Sequence, residues 1–179
     1  MQDYVASEAL VRSAGPKWTI LRFGAGLADA LARDVIWARR DGELVAPAAQ
    51  ATSVPAAARD LAEATARVAT GAGHDDKLYE LTGPRAIDWS DLASLASEAD
   101  ATPRPYRAVT DAEYRDYLAG LGLPENYVDG LLALYSAFRS GWNSRPDATL
   151  ARLLGRDPVD PIDAVRERLE PMARMLARR

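Results

Sequence analysis

One short stretch near the N-terminus carries large apolar side chains on both of its faces. It runs from Lys17 to Gly24, and its apolar residues are Trp18, Ile20, Leu21 and Phe23. A strand with one solvated face alternates between apolar and polar residues, whereas a run that is apolar on both sides is typical of a buried parallel strand. We therefore predict that residues 17–24 form a buried strand of a parallel sheet.

Strands and helices alternate through the rest of the first half of the chain. Residues 3–14 predict a helix that ends at Gly15-Pro16. After residue 24 the pattern predicts, in order, a loop with a short helix, a strand at 43–46, a loop at 47–55, an amphipathic helix at 57–70, a strand at 77–82 and a helix capped by Asp88 and Asp91. This spacing of strand, helix and strand favours a parallel sheet.

The chain becomes almost wholly helical after about residue 110. Thr110 and Glu113 form the capping box of one helix, and Pro124 begins a second helix that has a broad apolar stripe. These patterns predict a mixed α/β part over residues 1–109 and a helical part over residues 110–179, packed together as one compact unit.

Composition narrows the function before any motif is considered. The 179 residues include 22 basic and 26 acidic side chains and no basic patch interleaved with aromatics, so nucleic-acid binding is not expected. The absence of cysteine and the single histidine exclude disulfides, thiolate catalysis and cysteine- or histidine-rich metal sites. No apolar run approaches the ~18 residues of a membrane span and no signal-peptide pattern is present, so we expect a soluble cytoplasmic protein.

The order of several short motifs resembles that of a known family. Glu8-Ala9-Leu10, Ser13-Ala14-Gly15 and the stretch from Trp18 to Gly24 occur in the order and spacing of the NmrA-like proteins. Further matching stretches are 58–64, 73–84, 90–99, 111–114, 122–124 and 153–156, and the resemblance covers roughly residues 5–170. NmrA-like proteins are atypical short-chain dehydrogenase/reductases that include NAD(P)H-quinone and azo reductases and redox-sensing regulators. The resemblance implies an α/β fold with a partial, truncated Rossmann-like parallel sheet followed by a mostly helical lid over the substrate.

The cofactor motif of that family is missing from this chain. A phosphate-binding loop needs a strand, a glycine turn and a helix N-terminus in that order, so that backbone N–H groups and the helix dipole meet the pyrophosphate. Gly24-Ala25-Gly26 follows the wrong strand for such a loop, and Gly71-Ala72-Gly73 is a turn that precedes a strand. The family implies an NAD(P)-dependent oxidoreductase, but we expect the chain alone to bind no cofactor, and NAD(P) only together with a complementing N-terminal half.

The resemblance also implies site residues in the first part of the chain. Tyr4 falls near the active-site Lys or His of the family, so its phenol could donate a proton; the alternative is a residue of a frayed terminal helix. Asp29 stands where many relatives have Asn, and it is either a second catalytic candidate or a helix-capping or solvent-facing carboxylate. The implied substrate contacts are Phe23, Ala25 and Gly26, the last two replacing bulky aromatics and so widening any pocket.

Aromatic residues of the helical part form a second group of candidates. The resemblance places six of them in the lid: Tyr114, Tyr117, Tyr127, Tyr135, Phe138 and Trp142. Of these, Tyr117, Tyr135 and Trp142 are the candidate substrate contacts, because aromatic rings and phenols suit a flat ligand. The same helical spacing is also that of an apolar stripe that packs into the core.

Three functions remain open from the sequence. The first is a small-molecule-binding half of an NmrA-like reductase that takes an aromatic or quinone-like ligand and is redox-active only if a partner supplies the NAD(P) site. The second is a non-catalytic regulator that binds a ligand or a partner protein, and the third is a cofactor-independent cyclase or isomerase. Because little chain precedes the strand at 17–24, its apolar edge would be exposed, and we expect a homodimer or a heterocomplex through this sheet.

Overall fold

Helices dominate the chain, and short strands join them in its first half. The computed structural model describes residues 2–24 and 27–177, with side chains from residue 6 onward. The strands are β1 (Thr19–Phe23), β2 (Leu44–Ala46), β3 (Thr52–Ser53), β4 (Lys77–Leu81), β5 (Ile87–Asp88) and β6 (Tyr106–Ala108). The helices are α1 (Gln2–Ser13), α2 (Leu27–Asp41), α3 (Ala58–Thr70), α4 (Trp89–Ser97), α5 (Asp111–Gly120), α6 (Glu125–Arg139), α7 (Thr149–Leu154) and α8 (Pro161–Leu176). The predicted α/β fold, with a mostly helical second part, is confirmed.

The strands pair in parallel where the sequence predicts it, but they form separate small sheets. β1 pairs with β4 in parallel, with Phe23 opposite Leu81, and β2 pairs in parallel with β6. The two-residue strands β3 and β5 pair antiparallel. β3 lies within the segment 47–55 that the sequence pattern predicts to be loop, because two residues are too short to produce a periodic signal.

The prediction that residues 17–24 form a buried strand is wrong. No residue of β1 is fully buried, and the Phe23 side chain at its end is 41% exposed. The reason is that β4 is the sole strand paired with β1 among the described residues, so its other edge and part of both faces stay open. The apolar pattern correctly predicts a parallel strand, but burial also needs neighbours.

The predicted short helix after residue 24 is also wrong, because α2 is 15 residues long and central to the fold. Leu31, Val35 and Ala38 are buried along one face, where α2 packs against α4, α8 and β2. The adjacent charges Arg33 and Asp34 interrupt the apolar pattern and conceal this helix in the sequence.

Two cores hold the elements together. The main core lies between α2, α4, α5, α6 and α8, and a smaller one lies between α3, α7 and β4. Helix ends follow the predicted capping: Asp88 with Asp91 and Thr110 with Glu113 both form capping boxes. The division of the chain at about residue 109 stays a prediction.

Candidate functional site

The carboxyl ends of β1 and β4 lie side by side, at the edge where open α/β sheets bind ligands. The turn between α6 and α7 is tied by hydrogen bonds to Val54, directly after β3, and to Thr82, directly after β4. Val54 N–H donates to the Asn143 carbonyl oxygen at 2.9 Å, and Asp147 N–H donates to Thr82 Oγ1 at 2.8 Å. The turn at 140–147 therefore has a fixed position next to the two strand ends.

Gly24, directly after β1, brings the strand end against this turn. A side-chain carbon at Gly24 would overlap the Leu27 side chain and would lie 3.6 Å from Asn143 Nδ2. A glycine is thus required by close approach, and the Asn143 amide lies beside the end of the strand. The exposed Phe23 precedes Gly24 in sequence, and the partly exposed Trp142 precedes Asn143.

Two buried polar atoms near the strand ends have no hydrogen-bond partner among the residues that the structure describes. They are Asn143 Nδ2 and Ser53 Oγ, and the Ser53 side chain is 1% exposed. Leaving such a group unpaired costs about 1–3 kcal/mol, and native proteins satisfy nearly all of them. Asn143 also has a positive φ of 55°, a conformation that asparagine tolerates better than most residues. An unpaired donor at a strand end is a suitable contact for a ligand oxygen.

A continuous group of aromatic rings, which we call the aromatic cluster, fills the main core behind this turn. Its members are Trp37, Trp89, Tyr114, Tyr117, Tyr135, Phe138 and Trp142. Neighbouring ring centroids lie 5.1 to 6.3 Å apart, mostly in edge-to-face or tilted arrangements. Trp142 is the member next to Asn143, so the cluster supports the site from the core side.

Asp34 lies in the middle of the aromatic cluster and accepts its hydrogen bonds. Its Oδ2 accepts from Tyr135 Oη at 2.5 Å and from Trp89 Nε1 at 3.1 Å, and its Oδ1 accepts from Arg33 Nη2 at 2.7 Å. Asp34 is 4% exposed and Arg33 5%, and the Arg33 guanidinium also lies over the Trp37 ring at 5.0 Å. Burial, followed by the Asp34 charge, raises the pKa of Tyr135 well above its usual value, so the phenol stays a donor. This network fixes the core to which α5 and α6 pack.

The predicted aromatic contacts occupy three different surroundings. Tyr135 is fully buried in the network around Asp34. Tyr117 lies at the outer side of the cluster, where its Oη donates to Asp41 Oδ2 at 2.6 Å and burial raises its pKa. Trp142 is partly exposed beside Asn143. Their contact with a substrate stays a prediction, and Trp142 has the placement that suits it best.

The remaining predicted site residues lie near the N-terminus and the start of α2. The Tyr4 side chain, Ala25 and Gly26 are outside the described residues. Asp29 is in the first turn of α2, where its Oδ1 accepts from Arg168 Nε at 2.5 Å, and the two side chains are each about one-third exposed. Asp29 therefore joins α2 to α8, and any catalytic role for it stays a prediction.

A cleft of about 540 Å³ lies elsewhere on the surface, at the starts of α3 and α8. It is lined by Arg59, Val159, Asp160, Asp163, Arg166 and Glu167. Its two arginines are already paired, Arg59 with Glu167 at 2.8 Å and Arg166 with Glu98 at 2.6 Å. The cleft thus offers an incoming charged group no unpaired arginine.

Within residues 2–24 and 27–177, no group of three or more His, Asp or Glu side chains could hold a metal ion. In the same part of the chain, no helix is both long enough and apolar enough to cross a membrane.

The α/β fold matches that of NAD(P)-binding reductases with a Rossmann-like sheet. The structure matches that of an NADPH-dependent quinone oxidoreductase from Escherichia coli, determined with NADPH, with a TM-score of 0.84 and 25% identity. This match covers 93% of the present chain and 58% of the other. The placement of the helical part after parallel strands is therefore shared with an enzyme of known structure.

Sequence relatives agree with this class. The chain is 28% identical to Quinone oxidoreductase 2 of Escherichia coli (strain K12) over 163 residues, which are 91% of this chain and 57% of that protein. It is 27% identical to an NAD(P)H azoreductase of Xenophilus azovorans over 148 residues, 82% of this chain and 51% of the azoreductase. An NmrA-like family domain-containing oxidoreductase of Aspergillus flavus is 31% identical over 115 residues, 62% of this chain and 37% of that protein. The resemblance to the NmrA-like reductases is confirmed, although no protein-family model matches the chain.

The chain spans only part of these relatives, 57% of the quinone oxidoreductase and 51% of the azoreductase. The azoreductase is an NAD(P)H enzyme by name, and the quinone oxidoreductase structure is that of an NADPH-dependent enzyme in complex with NADPH. That this chain alone binds no NAD(P), because Gly24-Ala25-Gly26 follows the wrong strand for a phosphate loop, stays a prediction.

Sequence reasoning did not single out Asn143 or the pair Arg33 and Asp34. The signal for Asn143 is a polar turn after an aromatic helix, which is common in surface loops and carries little information by itself. For Arg33 and Asp34 the signal is two charges in line with the apolar face of α2, visible only once the full helix is recognised.

Proposed function

We propose that this chain binds a flat, quinone-like aromatic compound at the carboxyl end of β1, as the substrate-binding part of an oxidoreductase. The observation that supports this proposal is the unpaired Asn143 amide beside Gly24, at a strand end, in a chain homologous to quinone and azo reductases. Reduction of the ligand would require an NAD(P)-binding segment that supplies a phosphate loop.

Each proposed contact has a chemical role. The Asn143 amide donates a hydrogen bond to a carbonyl oxygen of the ligand, which removes the cost of the unpaired donor. The Trp142 ring, held by the neighbouring Phe138 ring at 5.9 Å, offers an aromatic face, and Phe23 is 41% exposed at the strand end. The predicted contacts Ala25 and Gly26 follow directly in sequence.

Calorimetric titration of the chain with menadione, a two-ring quinone, tests the proposal. Wild type binds menadione and shows no heat with NADPH. Trp142→Ala and Asn143→Ala each weaken menadione binding about tenfold, equivalent to roughly 1.4 kcal/mol. Matched controls are Trp18→Ala, at the opposite end of β1, and Asn126→Ala, an exposed residue of α6; both keep wild-type affinity. No binding of menadione, or tight binding of NADPH, contradicts the proposal.

A non-catalytic ligand-binding regulator is the second candidate. It predicts the same menadione binding without oxidation of NADPH under any pairing of polypeptides. A cofactor-independent acid–base reaction is less well supported, since the Asp29 carboxylate is held by Arg168.

A further inference from the structure

The aromatic cluster connects the proposed ligand site with a second part of the protein surface. It begins at Trp142, which is partly exposed beside Asn143, and it reaches Tyr117, whose hydroxyl is bound to the partly exposed Asp41. Between these ends, consecutive ring centroids lie 5.2 to 6.1 Å apart, in the order Trp142, Phe138, Tyr135, Tyr114 and Tyr117. Rings at these distances are in packing contact, and electrons tunnel readily across such contacts.

Most rings of the aromatic cluster can give up an electron. In a chain without cysteine, tryptophan and tyrosine are the side chains most easily oxidised by one electron, whereas phenylalanine resists oxidation. Phe138 packs between two tryptophans, with its ring centroid 5.9 Å from that of Trp142 and 5.1 Å from that of Trp89. Trp89 in turn lies 5.7 Å from Tyr135. A transfer that begins at Trp142 therefore has to cross a single phenylalanine ring before it meets the next oxidisable ring.

Two carboxylates lie where the tyrosines need proton acceptors. A phenol loses its proton when it gives up one electron, so a tyrosine is an efficient electron donor only beside a base. Tyr135 Oη donates to Asp34 Oδ2 at 2.5 Å, and Tyr117 Oη donates to Asp41 Oδ2 at 2.6 Å. Each of these two tyrosines is thus already hydrogen-bonded to the group that can take its proton.

The charges beside two tryptophans of the aromatic cluster have opposite signs. The Trp89 indole donates to Asp34 Oδ2 at 3.1 Å, and the negative carboxylate stabilises a positive charge on that ring. The Arg33 guanidinium lies 5.0 Å from the centre of the Trp37 ring and opposes a positive charge there. An electron vacancy is therefore favoured at Trp89, on the way to Tyr135, and disfavoured at Trp37, which contacts Tyr117 from the side at 6.3 Å.

We propose that the aromatic cluster carries a one-electron oxidising equivalent from Trp142 at the ligand site to Tyr117 at the surface. A one-electron oxidant at the ligand site, such as a photoexcited quinone, removes an electron from Trp142. Electrons then move stepwise toward Trp142, and Tyr117 supplies the last one while its phenolic proton passes to Asp41. The products are a restored Trp142, a neutral Tyr117 phenoxyl radical and a protonated Asp41, so electrons, protons and charge balance. A thiol or ascorbate-type reductant in solution then returns one electron and one proton to Tyr117.

The two pairs of tyrosine and carboxylate differ in their access to water. Asp34 is 4% exposed, so the proton of Tyr135 stays within the buried pair and returns when Tyr135 is reduced. The Asp41 side chain is 26% exposed and can release its proton to water, which makes Tyr117 the stable end of the path. The path moves a damaging radical away from the ligand site to a place that a soluble reductant can reach.

A photo-oxidant attached beside Trp142 tests the path. Because the chain has no cysteine, Arg145→Cys provides one attachment point for a ruthenium polypyridyl complex, at an exposed position of the same turn. After flash oxidation of the complex, transient absorption and electron paramagnetic resonance should show a long-lived tyrosyl radical. Tyr117→Phe should abolish this signal, and Trp142→Phe should slow its formation. A labelled parent without a tyrosyl signal, or a signal that either substitution leaves unchanged, overturns the proposal.

Matched variants test the proton acceptor and the specificity of the path. Asp41→Asn keeps the Tyr117 ring and removes the base, so the long-lived radical should be lost. Asp116→Asn, at an exposed carboxylate next to Tyr117 in sequence, and Tyr79→Phe, at a ring of the smaller core, should both keep it. A radical that survives Asp41→Asn, or that either control removes, also overturns the proposal. The attached complex is the oxidant and no menadione is present, so failure of the path and failure of the proposed function are distinguishable.

Discussion

The pair of elements α1 and β1 and the aromatic cluster both contain large apolar side chains, yet these side chains end in opposite environments. In the cluster, Tyr114, Tyr135 and Phe138 are at most 2% exposed, and even the Asp34 carboxylate between them is buried. In α1 and β1, Leu10 and Phe23 face solvent. The difference is the number of partners: five helices enclose the main core, whereas β1 has one neighbouring strand.

This comparison shows that hydrophobic pattern predicts the type of element but not its burial. The cluster is closed even though it contains a charged pair, because Asp34 pairs with Arg33 and accepts hydrogen bonds from the Tyr135 hydroxyl and the Trp89 indole. β1 contains no unpaired charge, and it is still open. Stability should therefore depend strongly on the cluster and weakly on polar contacts near β1.

The largest effect is expected from Asp34→Ala. The substitution leaves the Arg33 charge buried without its partner, and it should lower the free energy of unfolding by about 3–5 kcal/mol. Asp75→Ala is the matched control beside β1, since Asp75 pairs with Lys17 at 2.5 Å but its side chain is 58% exposed; it should cost less than about 1 kcal/mol. Urea unfolding at one fixed protein concentration measures the free energy of unfolding of both variants. Equal decreases for the two variants would contradict the contrast between the two regions.

Tyr135→Phe is the next largest change. It deletes the hydroxyl that donates to Asp34 and keeps the ring, so it should cost about 2–3 kcal/mol. Tyr117→Phe deletes a hydroxyl that donates to the partly exposed Asp41, and about 0.5–1 kcal/mol is expected. The same unfolding measurement decides the order, and a costlier Tyr117 variant would mean that the Asp34 network is not central.

Alkaline pH should weaken the main core. Burial raises the pKa of Tyr106 in β6 from its usual 10.0 to about 12. The unfolded chain then loses its proton first, so the stabilisation is complete below pH 10 and is lost as pH rises from 10 to 12. Since Tyr106 is partly exposed, the loss from this residue is about 1–2 kcal/mol. Tyr106→Phe should flatten the decline in unfolding free energy over this range; an unchanged slope would contradict the assignment.

Acid should loosen α1 and β1 before it destabilises the main core. The hydrogen bond from Arg22 lowers the pKa of Glu8 below its usual 4.5. A lowered folded pKa gives a contribution that is present above pH 4.5 and is lost as pH falls through the folded value. Proteolysis at acid pH should therefore cut near α1 before the core, and Glu8→Gln should show this early cutting already at neutral pH. Simultaneous cutting of α1 and α4 would contradict the predicted difference in acid sensitivity between α1 and the main core.

The sequence predicts most of the fold and only part of the site. A side-chain cap depends only on residues a few positions apart, so helix starts such as that at Thr110 and Glu113 can be predicted from the sequence, and this one is confirmed. The length of α2 was missed because the charges of Arg33 and Asp34 hide its periodicity, and the exposure of β1 depends on which strands are its neighbours. Asn143 could not be predicted as a site residue, because its position beside a strand end depends on contacts with Gly24 and Val54, which are both far away in sequence.

Amide chemical-shift mapping of the labelled chain, titrated with menadione and then with NADPH, tests the central claim most directly. We predict that menadione shifts the amides of the strand end and the 140–147 turn, with Trp142 and Asn143 among the largest, and that NADPH shifts none. Menadione shifts confined to the surface cleft at Arg59 and Arg166, or saturable NADPH shifts at the strand end, would contradict the account.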